Sequence, residues 1–348
     1  MRRSFFSKAL PAFTLAAVAL ASVPAGASPY TSMVVVGDSL SDSGNAALAG
    51  AINPSQIVLG NSFIPGAAYA SGTFSNGPAW ASYAAAALGV PLLPSAIGGT
   101  NFAFGGATSG GPGPSPNLLL QTGQYLGSTG GLASANALYV VEGGGNDARA
   151  ALDAIGLGAD PATTIAATVT SFVTNIATIV SELKTDGAQH IIVWDTPNLG
   201  VAPAVVAGPP GSSALGSFLA TQMNLVLAST LNGDPGVSIF DIYGLGTAIG
   251  LDPTAFGFTN ATDACGAVAG ANCSNYVYWD GIHPTTAAHM VIADAFLAEA
   301  VPEPSTWFMM ILGFAGIGFM AAGRQSQYFI KPIMHQDAAF GRLSLGIN

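Results

Sequence analysis

Four short runs rich in valine and isoleucine recur along the chain, and each stops at a glycine or a small polar residue. The runs occupy residues 33–36, 138–141, 191–194 and 237–240. Runs of this kind, without polar alternation, are typical of parallel strands covered on both faces. Between and after them, apolar residues recur at three- and four-residue steps over 164–184, 213–231 and 285–300. The alternation predicts an α/β fold: a three-layer α/β/α sandwich with a mainly parallel sheet.

Chemically useful side chains follow the first three of these runs. Ser39 follows the first run in the segment GDSLSDSGN, and Asn146 follows the second in GGGND. Sites in parallel α/β sheets form where the carboxyl ends of the strands meet, so we expect these residues at one edge. Asp147 and Asp195 also follow strands, and we interpret them as strand-end hydrogen-bond partners.

A second segment, WDGIHPT, supplies what a serine nucleophile needs. Serine is a weak nucleophile until a base takes its proton, and histidine suits that task near neutral pH. Asp280 and His283 stand three residues apart, a spacing that lets the carboxylate reach the imidazole and fix its tautomer. Each motif alone also has a plain structural interpretation, since Gly-Asp-Ser commonly forms a turn and an Asp–His pair a loop hydrogen bond.

Two glycine-rich segments can donate hydrogen bonds to an oxyanion. NFAFGGAT at 101–108 follows an expected strand and offers glycine N–H groups, and GGGND at 143–147 offers the Asn146 amide. Together with the Ser39 N–H these would form a three-donor oxyanion hole. Taken singly, each segment could equally be an ordinary loop.

The four segments, in this order between residues 36 and 285, resemble the blocks of the SGNH/GDSL family of serine esterases and lipases. The resemblance implies a flavodoxin-like SGNH fold, an acyl-ester substrate, and no cofactor or metal. It also implies roles for five residues. Ser39 would be the nucleophile, Gly106 (rather than Gly105) and Asn146 the further oxyanion donors, and Asp280 with His283 the proton relay.

The N-terminus has the pattern of a signal peptide. Basic residues precede an apolar stretch over 9–21 that is short for a membrane span, and Ala-Gly-Ala at 25–27 fits a cleavage site. We therefore expect a signal peptide at 1–27, with an uncleaved anchor as the alternative. In an exported chain, Cys265 and Cys273 would form a short-loop disulfide, although two free thiols remain possible.

The C-terminus carries a second export pattern. Val-Pro-Glu-Pro-Ser-Thr at 301–306 precedes an apolar stretch over 307–322, and Arg324 follows. This order resembles the PEP-CTERM sorting signal of Gram-negative bacteria, here at 301–324. It implies a membrane helix, processing by an exosortase-like enzyme, and delivery to the periplasm, outer surface or extracellular matrix. The chain differs from the usual sorting signal in continuing past the basic residue, with a tail of unknown role at 325–348. A buried helix is the alternative interpretation of the apolar stretch at 307–322.

Charge narrows the possible partners of the predicted domain at 28–300. The net charge of the whole chain is −10 and no basic stripe is present, so nucleic acid is disfavoured as a partner.

The leading hypothesis for the function is hydrolysis of acyl esters, with an acyl pocket over 57–74. The alternatives are removal of O-acetyl groups from polysaccharide and a non-catalytic surface or matrix protein on the same fold.

Overall fold

The computed structural model describes residues 29–53, 58, 60–61 and 67–301 of this 348-residue chain. The predicted signal peptide lies outside these residues. So do the sorting signal from residue 302 onward and the C-terminal tail.

Strands and helices alternate along the described part of the chain. The strands are β1 (Ser32–Val36), β2 (Ile52–Asn53), β3 (Ala68–Tyr69), β4 (Ala137–Val141), β5 (His190–Trp194), β6 (Val237–Phe240), β7 (Asn260–Ala264) and β8 (Tyr276–Tyr278). The helices are α1 (Asn45–Leu48), α2 (Trp80–Leu88), α3 (Leu118–Ser128), α4 (Gly145–Gly156), α5 (Pro161–Thr185), α6 (Pro203–Val206), α7 (Ser212–Leu231), α8 (Ile242–Leu251) and α9 (Thr286–Ala300).

The central sheet is made of the four strands that the sequence predicts. Its order is β1-β4-β5-β6, and all neighbouring strands are parallel. Short two-stranded sheets, β2 with β3 and β7 with β8, lie outside it. The predicted α/β fold with a parallel sheet is thus confirmed.

Helices cover both faces of this sheet, which is why its strands are apolar throughout. On one face, side chains of α3, α4, α5 and α7 pack against Val34, Tyr139 and Val193. On the other, α2 and α9 pack against Val35, Val140 and Trp194. Successive residues of one strand point to opposite faces, so a strand buried on both sides shows no polar alternation.

Side-chain caps fix where several helices begin. Asp160 accepts from the Thr163 N–H at the start of α5, and Asp241 from the Gly244 N–H at the start of α8. Thr285 accepts from the Ala288 N–H and caps α9, as its sequence position suggested. Such a cap satisfies one of the N–H groups that a helix start leaves unbonded.

The expectation of a strand directly before Asn101 is wrong. In this part of the structure Asn101 forms isolated bridges with Val35 and Pro94, and no continuous strand precedes it. A 3-10 helix at Ser95–Ile97 and the Gly98–Gly99 pair occupy the residues just before this contact.

Two helices, α5 and α7, are long and apolar enough to cross a membrane by length and composition alone. In the structure one face of each helix contributes to the core on the sheet, with Phe172 and Ile176 from α5 and Leu219 and Met223 from α7. Their apolar character therefore has a sufficient cause in packing. The predicted membrane helix of the sorting signal lies outside the described residues.

Candidate active site

The loop after β1 holds Ser39 by burying polar groups around it. The Asp42 carboxylate accepts hydrogen bonds from four backbone N–H groups, those of Gly44, Asn45, Ala46 and Gly105. These four donors tie the serine loop to the start of α1 and to the glycine turn at 105–106. Asp42 therefore holds the turn that carries Ser39.

Gly37, just before this loop, is held by a side chain from another helix. The Gln121 amide on α3 accepts from the Gly37 N–H at 2.8 Å and donates to the Gly37 carbonyl at 2.9 Å. Gly37 also needs to be glycine, because a Cβ there would lie 2.6 Å from the Glu142 Oε2 atom. The turn is thus fixed on both sides before the chain reaches Ser39.

Three of the predicted residues meet in one hydrogen-bonded chain. The Ser39 Oγ lies 2.7 Å from His283 Nε2, and His283 Nδ1 lies 2.8 Å from Asp280 Oδ2. With the ring proton on Nδ1, facing the carboxylate, Nε2 can accept the serine proton. His283 and Asp280 are fully buried and Ser39 is 8% exposed, so the pair is shielded while the hydroxyl retains access.

Asp280 is surrounded by donors besides the imidazole. Its Oδ1 accepts from the Ile282 and His283 N–H groups, and its Oδ2 accepts from the Tyr69 hydroxyl at 2.9 Å. The Phe74 ring lies 5.4 Å from the His283 ring, centroid to centroid. The histidine loop is therefore oriented through the carboxylate, which itself is held by backbone and by Tyr69.

The candidate oxyanion donors differ in whether their N–H groups are already hydrogen-bonded. The Gly105 N–H is bonded to Asp42, whereas the Gly106 and Ser39 N–H groups donate to no acceptor within the described ranges. Gly106 has a φ of +82°, a backbone conformation that favours glycine. This difference favours Gly106 over Gly105 as the donor from this turn.

Asn146 is positioned at the start of α4 with both amide hydrogens in use. Its Nδ2 donates to the Ala107 carbonyl at 2.8 Å and to Asp38 Oδ2 at 3.1 Å. A substrate oxyanion would therefore have to share or replace one of these acceptors. The longer bond, to Asp38, is the weaker one to give up.

Three further residues hold the site, although their sequence positions did not predict it. They are Gln121, Tyr69 and Glu142, of which Glu142 had a visible signal as a charged residue directly after an apolar strand. Its Oε2 accepts from the Asp38 N–H at 2.9 Å. Burial raises the pKa of the Asp38 carboxyl, and burial together with the nearby Asp38 raises that of Glu142 well above its usual range.

The remaining polar residues of interest have structural partners or a buried environment. Asp147 accepts from the Ser109 N–H and hydroxyl, and Asp195 from the Tyr243 N–H. His289 on α9 is fully buried, and burial lowers its pKa to about 3, which keeps the ring neutral. No group of three or more possible metal ligands occurs within the part of the chain that the structure describes.

A cavity of about 110 Å³ adjoins the site. Ser39, Asn146 and His283 line it on one side, and the opposite walls are mainly apolar side chains from α8, α9 and β8. None of the described residues of the segment 57–74 lines this cavity, so the expectation of an acyl pocket there is not supported. Phe74 instead contacts the His283 ring.

Cys265 and Cys273 form a disulfide next to the histidine loop. Cys265 packs in a small apolar cluster with Tyr69 and Trp279, and Trp279 directly precedes Asp280. The Gly266 N–H donates to the Trp279 carbonyl at 2.8 Å. The cross-linked loop therefore supports the backbone that carries the candidate relay.

Comparison with known proteins gives two family matches. Residues 33–296 match the GDSL-like lipase/acylhydrolase family, and residues 300–325 match the PEP-CTERM protein-sorting motif. The sorting motif points to export in Gram-negative bacteria, and the predicted family resemblance is confirmed.

The individual proteins that resemble this chain share less than a third of their residues with it over the matched regions. A GDSL esterase/lipase of Arabidopsis thaliana is 31% identical over 36% of this chain and 43% of its own length. An uncharacterized protein from the trpE-trpG intergenic region of Pseudomonas putida is 31% identical over 81% of this chain and 51% of its own. The chain thus spans about half the length of these curated relatives. A solved extracellular lipase from Streptomyces rimosus is 18% identical, with a TM-score of 0.43, and the match covers 78% of this chain and all of that one.

Proposed function

The chain belongs to the GDSL-like lipase/acylhydrolase family, and from that premise we propose that it is an exported carboxylic-ester hydrolase with Ser39 as its nucleophile. The observation that carries the proposal is the continuous contact from Ser39 Oγ through the His283 ring to the Asp280 carboxylate. This arrangement is what nucleophilic catalysis by serine requires.

In the first half-reaction Ser39 Oγ bonds to the ester carbonyl carbon as His283 Nε2 takes the hydroxyl proton. The resulting oxyanion would be stabilised by the Ser39 and Gly106 N–H groups and by the Asn146 amide. The bond to the alcohol oxygen then breaks as His283 returns the proton to the leaving group. The acyl group remains on Ser39, and Asp280 stabilises the imidazolium at each step.

In the second half-reaction water replaces the alcohol. His283 takes a proton from the water as its oxygen attacks the acyl carbon. The bond to Ser39 Oγ breaks, the serine regains the proton, and the carboxylic acid leaves. The ester and one water molecule are the only reactants that this sequence of steps consumes.

The apolar cavity beside Ser39 favours an acyl ester with a hydrocarbon chain over an O-acetyl polysaccharide, because an acetyl group would leave its apolar walls uncovered. The non-catalytic alternative is disfavoured by the contact from serine to imidazole to carboxylate. We further propose the division into a signal peptide at 1–27, a hydrolase domain at 28–300, a sorting signal at 301–324 cut by an exosortase-like enzyme, and a tail at 325–348.

Hydrolysis of p-nitrophenyl esters by the purified protein tests the proposal. We expect activity in wild type and a loss of at least about 10³-fold in Ser39→Ala, because the nucleophile is removed. Ser229→Ala, at an exposed position on α7, is the matched control and should behave like wild type. Inactive wild-type protein would contradict the enzyme proposal, and full activity in Ser39→Ala would contradict this site.

A further inference from the structure

One wall of the cavity beside Ser39 is formed by helix α8, and at Gly246 this wall lacks a side chain. Helix α8 faces the cavity with Ile242, Leu245, Gly246 and Ile249, which are spaced so that they share one side of the helix. Gly246 has no side chain; Gly250, one turn further along α8, also lines the cavity, but a Cβ there would already contact Val201 at 3.7 Å. A Cβ built on Gly246 would meet no heavy atom within 4 Å, so part of the cavity lies where a larger residue would project.

The walls around this gap are closed by buried apolar residues. Ile249 on α8, Val277 on β8, and Ala288 and Ile292 on α9 all line the cavity and are each less than 9% exposed. Ile249, Val277 and Ala288 also pack together as one apolar cluster. Such walls exclude water and can accept a hydrocarbon chain, because each methylene group that moves from water to an apolar environment stabilises the complex.

The order of bond making and breaking decides which part of an ester belongs in this cavity. The alcohol leaves before water attacks, whereas the acyl group stays bonded to Ser39 until the second step. A recessed apolar cavity that shares Ser39 and His283 with the site suits the group that is retained. A leaving alcohol needs instead a path to solvent.

On the basis of the proposed function, we infer that this cavity binds the acyl chain and that Gly246 sets the length of chain it accepts. The missing side chain at this position keeps the space between α8 and the Ser39 loop open. A larger side chain at this position is expected to reduce the accessible space, and its Cβ would contact neither Ser39, His283 nor Asp280. Gly246 is thus a specificity-determining residue rather than part of the catalytic machinery.

The test compares two ester series on wild type and Gly246→Leu. In the first series the alcohol is p-nitrophenol and the acyl group runs from acetyl through butyryl and octanoyl to dodecanoyl. In the second the acyl group is acetyl and the alcohol runs from methanol to octanol. We expect the octanoate-to-acetate ratio of kcat/KM to fall at least tenfold, about the discrimination that steric loss of one or two methylene contacts produces. The alcohol series should change much less.

Matched variants keep the result interpretable. Gly123→Leu on α3 also replaces an exposed helical glycine whose Cβ would meet nothing within 4 Å, and it should keep the wild-type profile. Gly246→Ala adds only one carbon and improves helix propensity, so it should fold and give a smaller shift in the same direction.

The possible failures are distinguishable. An active wild type with an unchanged acyl profile in folded Gly246→Leu and Gly246→Ala would overturn this inference and leave the proposed function standing. A shift confined to the alcohol series would also overturn it, because the cavity would then bind the alcohol. Wild-type protein inactive on every ester would overturn the proposed function and this inference with it.

Discussion

Asp280 and Glu142 are both fully buried carboxyl groups within the candidate site, but their surroundings are opposite. Asp280 receives hydrogen bonds from the Tyr69 hydroxyl, the His283 ring, and the Ile282 and His283 N–H groups. Glu142 receives one from the Asp38 N–H at Oε2 and interacts with the Ser41 side chain, and its Oε1 has no hydrogen-bond partner among the described residues. A second carboxyl group, that of Asp38, lies beside it.

Both groups are buried, yet their environments differ, so burial alone does not determine what a carboxyl group can do in the site. Donors aimed at a carboxylate complement its negative charge, so Asp280 can face an imidazole and stabilise it when it is protonated. Two buried carboxyl groups that face each other cannot both be ionised at low cost, so Glu142 retains a proton. One group is arranged to carry charge during a reaction, and the other to remain neutral beside it.

The largest effect should follow when Asp280 loses its charge. Asp280→Asn keeps the shape but presents an amide to His283 Nδ1, which favours the wrong ring tautomer. We expect kcat to fall by about 10⁴-fold, as this change typically causes in a serine triad, with little loss of thermal stability. The measurement is kcat on a p-nitrophenyl ester beside Asp294→Asn, an exposed carboxylate on α9 that should not matter. A fall of less than tenfold would mean that Asp280 does not support the relay.

Glu142 gives the reciprocal test through stability. Glu142→Leu removes the acceptor of the Asp38 N–H and should cost about 1–3 kcal/mol of unfolding free energy, because a buried donor is left unpaired. Glu142→Gln retains an acceptor oxygen and should be tolerated better. Denaturant unfolding of both variants measures the difference. Equal stabilities for Gln and Leu would show that the bond to Asp38 contributes nothing.

The pH dependence of the same variants sharpens this test. A carboxyl whose pKa is raised in the folded state contributes most stability below its unfolded pKa, and loses that contribution as pH rises through the folded pKa. Wild type should therefore lose stability as pH rises above about 4.5, the ordinary pKa of glutamic acid. Glu142→Gln should show a shallower fall in stability as the pH rises above this value, because the amide does not titrate. An identical slope in the variant would place the proton elsewhere.

Sequence patterns predicted one of these two environments and missed the other. The spacing of Asp280 and His283 identifies a pair that local backbone geometry can bring together, so a short motif was sufficient. Glu142 meets Asp38 only because β1 and β4 are neighbours in the sheet, a pairing of residues 104 positions apart. Gln121 and Tyr69 likewise reach the site from distant segments, and neither stands out in its own stretch of sequence.

The fold shows the same division. The four central strands and the long helices followed from apolar periodicity, because burial on two faces leaves a strong pattern. The segment before Asn101 did not follow, since it contacts β1 by a single bridge and is otherwise irregular. The cavity beside Ser39 was also unpredictable, because its walls come from α8, β8 and α9, whose proximity depends on tertiary packing.

Tyr69 tests how much one of the four donors on Asp280 contributes. Tyr69→Phe removes the hydroxyl and leaves the ring packed against Trp279. We expect kcat to fall about tenfold while KM stays within a factor of about two, since a single hydrogen bond to a charged group is worth 1.5 kcal/mol or slightly more. Tyr83→Phe, whose hydroxyl contacts Thr286 instead, is the matched control. If both variants lost activity equally, the effect would reflect general packing and not the positioning of Asp280.

Asp195 is buried like Glu142 but accepts a hydrogen bond from the Tyr243 N–H. Of the substitutions considered, replacing it should have the smallest effect. Burial, opposed in part by the Tyr243 N–H and reinforced by nearby Asp241, raises its pKa to about 7. Its contribution to stability is therefore present below about pH 4 and is lost as pH rises towards 7. Asp195→Asn should flatten this fall by on the order of 1 kcal/mol, because the amide that replaces the carboxyl does not titrate. Denaturant unfolding at pH 4 and pH 8 measures it against Asp294→Asn. An equal slope in Asp195→Asn and Asp294→Asn would show that Asp195 does not contribute to the pH dependence of stability.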